Sequence, residues 1–191
     1  GGSKMGGDTC LLYVGPDEVV RIPRQVTHVA NLAFCGASGV AELHLHGHLH
    51  SICNGAFSTA RSIPLVHVEF PVDGYAAGDF RVPELSSRYR SPSYLFGAGP
   101  GGTAFDFEYY DSWVTHAATM REFAPAALYR LQHPMCLSDH TRELYENIFQ
   151  RKARQACRYF ADQGDLDALA WLAGRGLLDD GAIEAELGTA T

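Results

Sequence analysis

One spacing governs what this chain can fold into: apolar-polar-apolar triplets recur every 23 residues, as Val20-Arg21-Ile22, Leu43-His44-Leu45 and Val66-His67-Val68. The same offset links Val26, Leu49 and Val72, then Val29, Ile52 and Tyr75, then Phe34, Phe57 and Phe80, and it pairs Val40 with Ile63. A repeat of about 20 to 29 residues suits a unit of one short strand and one turn, which buries its apolar face only by stacking on its neighbours. Side chains alternate along a strand, so the outer residues of each triplet are expected to point inward and the middle residue outward.

The run Ile22-Pro23-x-x-Val26-Thr27-x-Val29-x-x-x-Ala33-Phe34, followed by Val40-x-x-Leu43-x-Leu45, resembles the BspA-type leucine-rich repeat of bacterial proteins, over roughly residues 18–82. The resemblance implies a short solenoid of about three repeats and a role in protein interaction, in surface-displayed or secreted proteins as often as in intracellular ones. The third copy departs from the pattern, with Asp79 where the family prefers alanine, and no fourth strand is readable near residue 89.

Beyond Arg81 the composition shifts to Pro, Ser, Gly and Tyr, including Gly97-Ala98-Gly99-Pro100-Gly101-Gly102, which reads as a linker. The string Gly97-x-Gly99-x-x-Gly102 lacks the strand before it and the helix after it that a dinucleotide site requires. From Asp106 onward the period is helical. Helices are expected over 106–116, from Pro125 to Gln132, over 139–162 behind the N-cap Ser138, after Asp165, and after Asp179, with Gly164 and Gly174-Arg175-Gly176 as stops. The stretch from Gly164 to Leu178 is similar to an ankyrin-type helix-turn unit. The expected fold is α+β: a leucine-rich-repeat domain at 8–82, a Gly/Pro/Ser-rich linker at 83–105 and a helical domain at 106–191 that caps the open end of the solenoid.

Fifteen Lys and Arg against 22 Asp and Glu leave a formal charge of −7, which argues against nucleic acid as the main partner. No apolar run approaches the ~20 residues of a spanning helix, so no membrane insertion is expected. Gly1-Gly2-Ser3-Lys4 before Met5 reads as an added leader. Five scattered cysteines without CxxC pairs favour a reducing compartment and hence the cytoplasm, with secretion or surface display as the alternative if a signal peptide has been removed.

Histidine is the unusual residue. His44, His46, His48 and His50 alternate, and the 23-residue register brings in His67. Arg21, His44 and His67 are expected to form an outward ladder on strands ~4.8 Å apart, with Pro23, His46 and Glu69 as a second row. The first functional expectation is a non-enzymatic interaction module that presents Arg21, His44, His46, His67 and Glu69 to an unknown protein partner, with no cofactor. The alternative is a metal site built from His44, His46, His67 and Glu69, since imidazole and carboxylate together suit zinc, nickel or iron. Arg151, Arg154 and Arg158 form a basic stripe that reads as a solvated helix face, and Cys136, between His133 and His140, reads as a half-buried thiol.

Overall fold

The computed structural model describes residues 2–6, 9–14, 18–34, 39–53, 55–57, 63, 65–70, 77–81, 95–97 and 105–188. Its strands are β1 (Gly2–Gly6), β2 (Thr9–Val14), β3 (Val19–Arg21), β4 (His28–Val29), β5 (Glu42–Leu45), β6 (Ser51–Ile52), β7 (Leu65–Val68) and β8 (Gly78–Arg81). They sort into two small sheets, ordered β1-β2-β4-β6 and β3-β5-β7-β8. In the second sheet β3, β5 and β7 run parallel, and their register pairs Val20 with Leu43 and Leu43 with Val66, Arg21 with His44 and His44 with His67. In the first, β4 and β6 are parallel and offset by the same 23 residues, His28 opposite Ser51 and Val29 opposite Ile52.

The leucine-rich-repeat solenoid expected over 8–82 is not found; the architecture is mixed α/β, two small sheets with six helices among the described residues. A solenoid adds equivalent parallel units one after another. Here β8 turns back to pair antiparallel with β7, and β1 pairs antiparallel with β2, so each sheet carries a reversed edge strand. Phe80, which the spacing grouped with Phe34 and Phe57 as a repeat position, lies on that reversed strand. The segment read as an added leader also takes part in the fold, because β1 spans Gly2–Gly6.

The inward residues behave as their alternation requires. Val20, Ile22, Leu43, Leu45, Val66 and Val68 are all buried. Below them Phe34 and Phe57 stack with ring centroids 4.5 Å apart. Turn backbones link the same neighbouring units, one residue to either side of the 23-residue offset: Phe34 N–H donates to Ala56 C=O at 3.0 Å, and Cys53 N–H to Val29 C=O at 2.9 Å. Leu95, Phe96 and Phe105, within the segment read as a linker, are buried in the same hydrophobic cluster, and Phe96 bridges Phe105. Residues 83–94 and 98–104, including Gly99 and Gly102, lie outside the described residues.

The helices are α1 (Phe107–Thr115), α2 (Met120–Gln132), α3 (Asp139–Arg151), α4 (Ala153–Asp162), α5 (Leu166–Gly174) and α6 (Asp180–Leu187). Side-chain oxygens of Asp106, Ser138, Asp165 and Asp179 accept from backbone N–H groups in the first turns of α1, α3, α5 and α6. Two boundaries differ from the sequence expectation. α2 starts five residues before Pro125, because Thr119 and Glu122 form a reciprocal capping box that fixes the start at Met120. The long helix over 139–162 breaks at Lys152, where the backbone leaves helical geometry at φ −112° and ψ 30°. Gly164 adopts a positive φ of 69° and ends α4 as expected of a C-terminal glycine. Among the described residues no helix is long and apolar enough to cross a membrane.

A buried ion pair joins the helices to the sheet. Arg130, 0% exposed, donates from Nε to Asp111 Oδ1 at 2.7 Å and from Nη2 to Asp111 Oδ2 at 2.8 Å. Its Nη1 donates to Met135 C=O at 2.7 Å, and Tyr145 O–H donates to Asp111 Oδ1 at 2.7 Å. The guanidinium lies 5.0 Å from the ring centre of Phe80 on β8 and 5.6 Å from that of Phe107 on α1. Burial pulls the Arg130 pKa down, but hydrogen bonds and charge from Asp111 outweigh it and raise the net value, so the guanidinium stays charged. Removing one partner of such a pair strands the other charge in the core, so Asp111→Asn is expected to lose about 3–5 kcal/mol of unfolding free energy. Urea denaturation of the two proteins checks this; a loss below 1 kcal/mol would mean the pair is effectively solvated.

Candidate metal centre

Register and parity decide which polar side chains meet on β3, β5 and β7. Parallel pairing sets Arg21, His44 and His67 side by side across three strands. Adjacent same-parity residues are close enough that planar rings stack, and the His44 and His67 imidazoles do so with centroids 4.2 Å apart and planes 21° from parallel. Glu42, two residues before His44, shares its side of the strand. Its Oε2 lies 3.4 Å from His44 Nε2 and 3.5 Å from His67 Nε2. One ligand atom from each of Glu42, His44 and His67 falls within 4.8 Å of the other two.

The opposite edge of the His44 ring has its own partners. Glu69 Oε1 makes a short contact with His44 Nδ1, and Arg21 Nη1 donates to the same Glu69 oxygen at 3.2 Å. The hydrogen bond from His44 holds the Glu69 carboxyl below its ordinary pKa, with burial opposing and the His44 and Arg21 charges assisting. A proton on Nδ1 facing Glu69 directs the Nε2 lone pair toward Glu42, the arrangement in which a carboxylate fixes the tautomer of a ligating histidine.

The sequence-derived candidates therefore divide. Arg21, His44, His67 and Glu69 come together. His46 does not join them: its Nε2 donates to Pro23 C=O at 2.9 Å, and its Nδ1 accepts from His48 N–H at 3.1 Å. Both ring nitrogens are spent on backbone, and His46 pins one turn to the next. The outward row is also less open than alternation alone suggested, with His44 and His46 only 8% and 7% exposed. His48 and His50 point to solvent, and His50 leans on His28 with centroids 5.9 Å apart. Glu42 is the residue that sequence reasoning missed, although its place two before His44 carried the signal. The basic stripe is exposed, Arg158 lying 3.5 Å from Glu186, and Cys136 is half-buried.

Comparison with known proteins leaves the site to be read from its chemistry: no family model, curated protein or solved structure matches this chain.

Burial lowers the His46 pKa from its ordinary value, and the bond to Pro23 offsets this only in part. The unfolded chain therefore binds a proton at His46 more readily than the folded one. Its contribution to stability is complete above about pH 6.5, the unfolded histidine value, and shrinks as pH falls below it. Wild type is expected to lose more stability between pH 7.5 and 5 than His46→Gln, measured by urea titration at each pH. Parallel losses in the two proteins would remove His46 as a source of the pH dependence.

Proposed function

We propose that this chain binds one divalent transition-metal ion through Glu42, His44 and His67. The observation that carries the reading is the convergence of their three ligand atoms within 4.8 Å. A carboxylate oxygen and two imidazole nitrogens suit zinc or iron(II), which they grip at about 2.0–2.2 Å, so a small inward adjustment of the three side chains closes on an ion. The Glu69 carboxylate supports the reading from outside the ligand set, because its contact with His44 Nδ1 favours the tautomer that leaves the Nε2 lone pair for an ion. The polar atoms of this ladder contact one another rather than standing out singly, which favours an ion over a protein partner as the thing this surface takes.

Calorimetric titration of the full chain with zinc is expected to give one ion per chain. His67→Ala and Glu42→Ala each remove the heat, and Glu69→Gln weakens binding by about 10- to 100-fold without changing the stoichiometry. His28→Ala and His50→Ala leave it unchanged. Undiminished binding in His67→Ala would overturn the assignment.

A further inference from the structure

We propose that the groove running from the end of α1 across α3 to the start of α6 docks an acidic peptide segment with an aliphatic anchor. The groove lies among the helices, and the proposal stands independently of the metal reading. Helix α3 carries two apolar rows. Tyr145 and Phe149 are buried in the core, whereas Leu144, 37% exposed, and Ile148, half-buried, share a second face with Asn147 and Arg151. That face lines a cavity of about 550 Å³ together with Thr115 and His116 at the end of α1. A second cavity of about 590 Å³ adjoins it through Gln150 and Arg151, which line both. Lys152 and Arg154 contribute to the second cavity from the junction of α3 and α4, and Asp179, Gly181 and Ala182 from the start of α6. One end of the groove is thus aliphatic and the other basic.

Charge decides the occupant. The chain carries a formal charge of −7, yet the nine residues from Gln150 to Arg158 hold four cations and no acid. Arg158 lies outside the groove and is matched by Glu186 at 3.5 Å. Arg151, Lys152 and Arg154 line it, and the carboxylate among its lining residues, Asp179, is occupied as the N-cap of α6, accepting from Ala182 N–H at 2.6 Å. A purely apolar segment laid here would cover cations without a counter-charge, which is costly, whereas carboxylates pair with them. A lone inorganic anion would leave Leu144 and Ile148 unused. A membrane surface is broad and flat, while these cations border a recess between helices, which suits a chain that enters it. The spacing also sets a pattern. Arg151 follows Leu144 by seven residues, about 10 Å along the helix axis. An extended peptide spans that distance in about three residues. The fitting segment therefore carries an aliphatic residue with acidic residues beginning about three positions away.

Selection of a random-sequence peptide library, displayed on phage, against the full chain tests this, with a parallel selection against the double variant Arg151→Glu, Arg154→Glu. Wild type is expected to enrich peptides with an aliphatic residue followed or preceded by acidic ones at the spacing above, and the double variant to lose that class. The strongest such peptide is then labelled and its affinity followed by fluorescence anisotropy. Arg151→Ala weakens it roughly threefold, the scale of one solvent-screened ion pair, and added salt weakens it further. Leu144→Ala weakens it roughly fivefold, the scale of a partly buried leucine. Arg158→Ala, outside the groove, leaves it unchanged. A selection that yields no acidic class would overturn the proposal, as would an acidic class that binds the double variant equally well. Sedimentation of the chain with phosphatidylserine vesicles in the absence of any selected peptide class would assign the cations to a membrane surface and likewise overturn it.

Discussion

Main-chain pairing of β3, β5 and β7 in a 23-residue register is the constraint on which the rest of this surface depends. Once Leu43 lies between Val20 and Val66, the residues that follow each of them have no freedom over which neighbours they meet. Strands ~4.8 Å apart place side chains of like parity within contact distance. On one side this stacks apolar rows into a continuous core. On the other it presses two imidazoles together and leaves Glu42 and Glu69 at opposite edges of the His44 ring. The local histidine chemistry is thus a by-product of backbone hydrogen bonding, and a one-residue slip of β7 would dismantle it by turning His67 toward the core.

Two charged clusters in this molecule illustrate different uses of the same chemistry. Asp111, Arg130 and Tyr145 are sealed in the interior, and both Asp111 oxygens accept from named donors. Burial pushes the Tyr145 phenol well above its usual range, and the neighbouring Asp111 charge adds to this, so the hydroxyl remains a donor at any ordinary pH. Such a satisfied network has nothing left to offer a ligand; it ties α1, α2 and α3 to Phe80 on β8. The Glu42, His44 and His67 group is the reverse case. Carboxylate and imidazole atoms approach one another at 3.4–3.5 Å, with the Glu42 side chain 40% exposed and that of His44 9%.

What could be read from the sequence was what depended on local rules. The 23-residue spacing paired Arg21 with His44 and His44 with His67, and Ser138, Asp165, Asp179 and Gly164 marked helix ends by their own hydrogen-bonding and backbone preferences. Strand direction was not legible. Phe80 satisfied the spacing yet lies on a reversed strand, because an apolar residue at the right offset fits a parallel or an antiparallel neighbour equally well. The break at Lys152 has no glycine or proline to announce it, and the pairing of Asp111 with Arg130 and Tyr145 spans 19 and 34 residues. His46 misled because parity alone cannot show that a backbone carbonyl, Pro23, waits within reach of its ring. Glu42 was overlooked for the opposite reason, lying just outside the triplet on which attention fell.

The central claim is that two imidazoles and a carboxylate, set by strand register, form one ion's ligand set. X-ray absorption at the metal edge of the zinc-loaded chain tests it most directly. The account predicts a first shell of nitrogen and oxygen at about 2.0–2.2 Å, with outer-shell scattering that counts two imidazoles. A sulfur shell near 2.3 Å, which would place the ion on a cysteine, or scattering from fewer than two imidazoles, would contradict it.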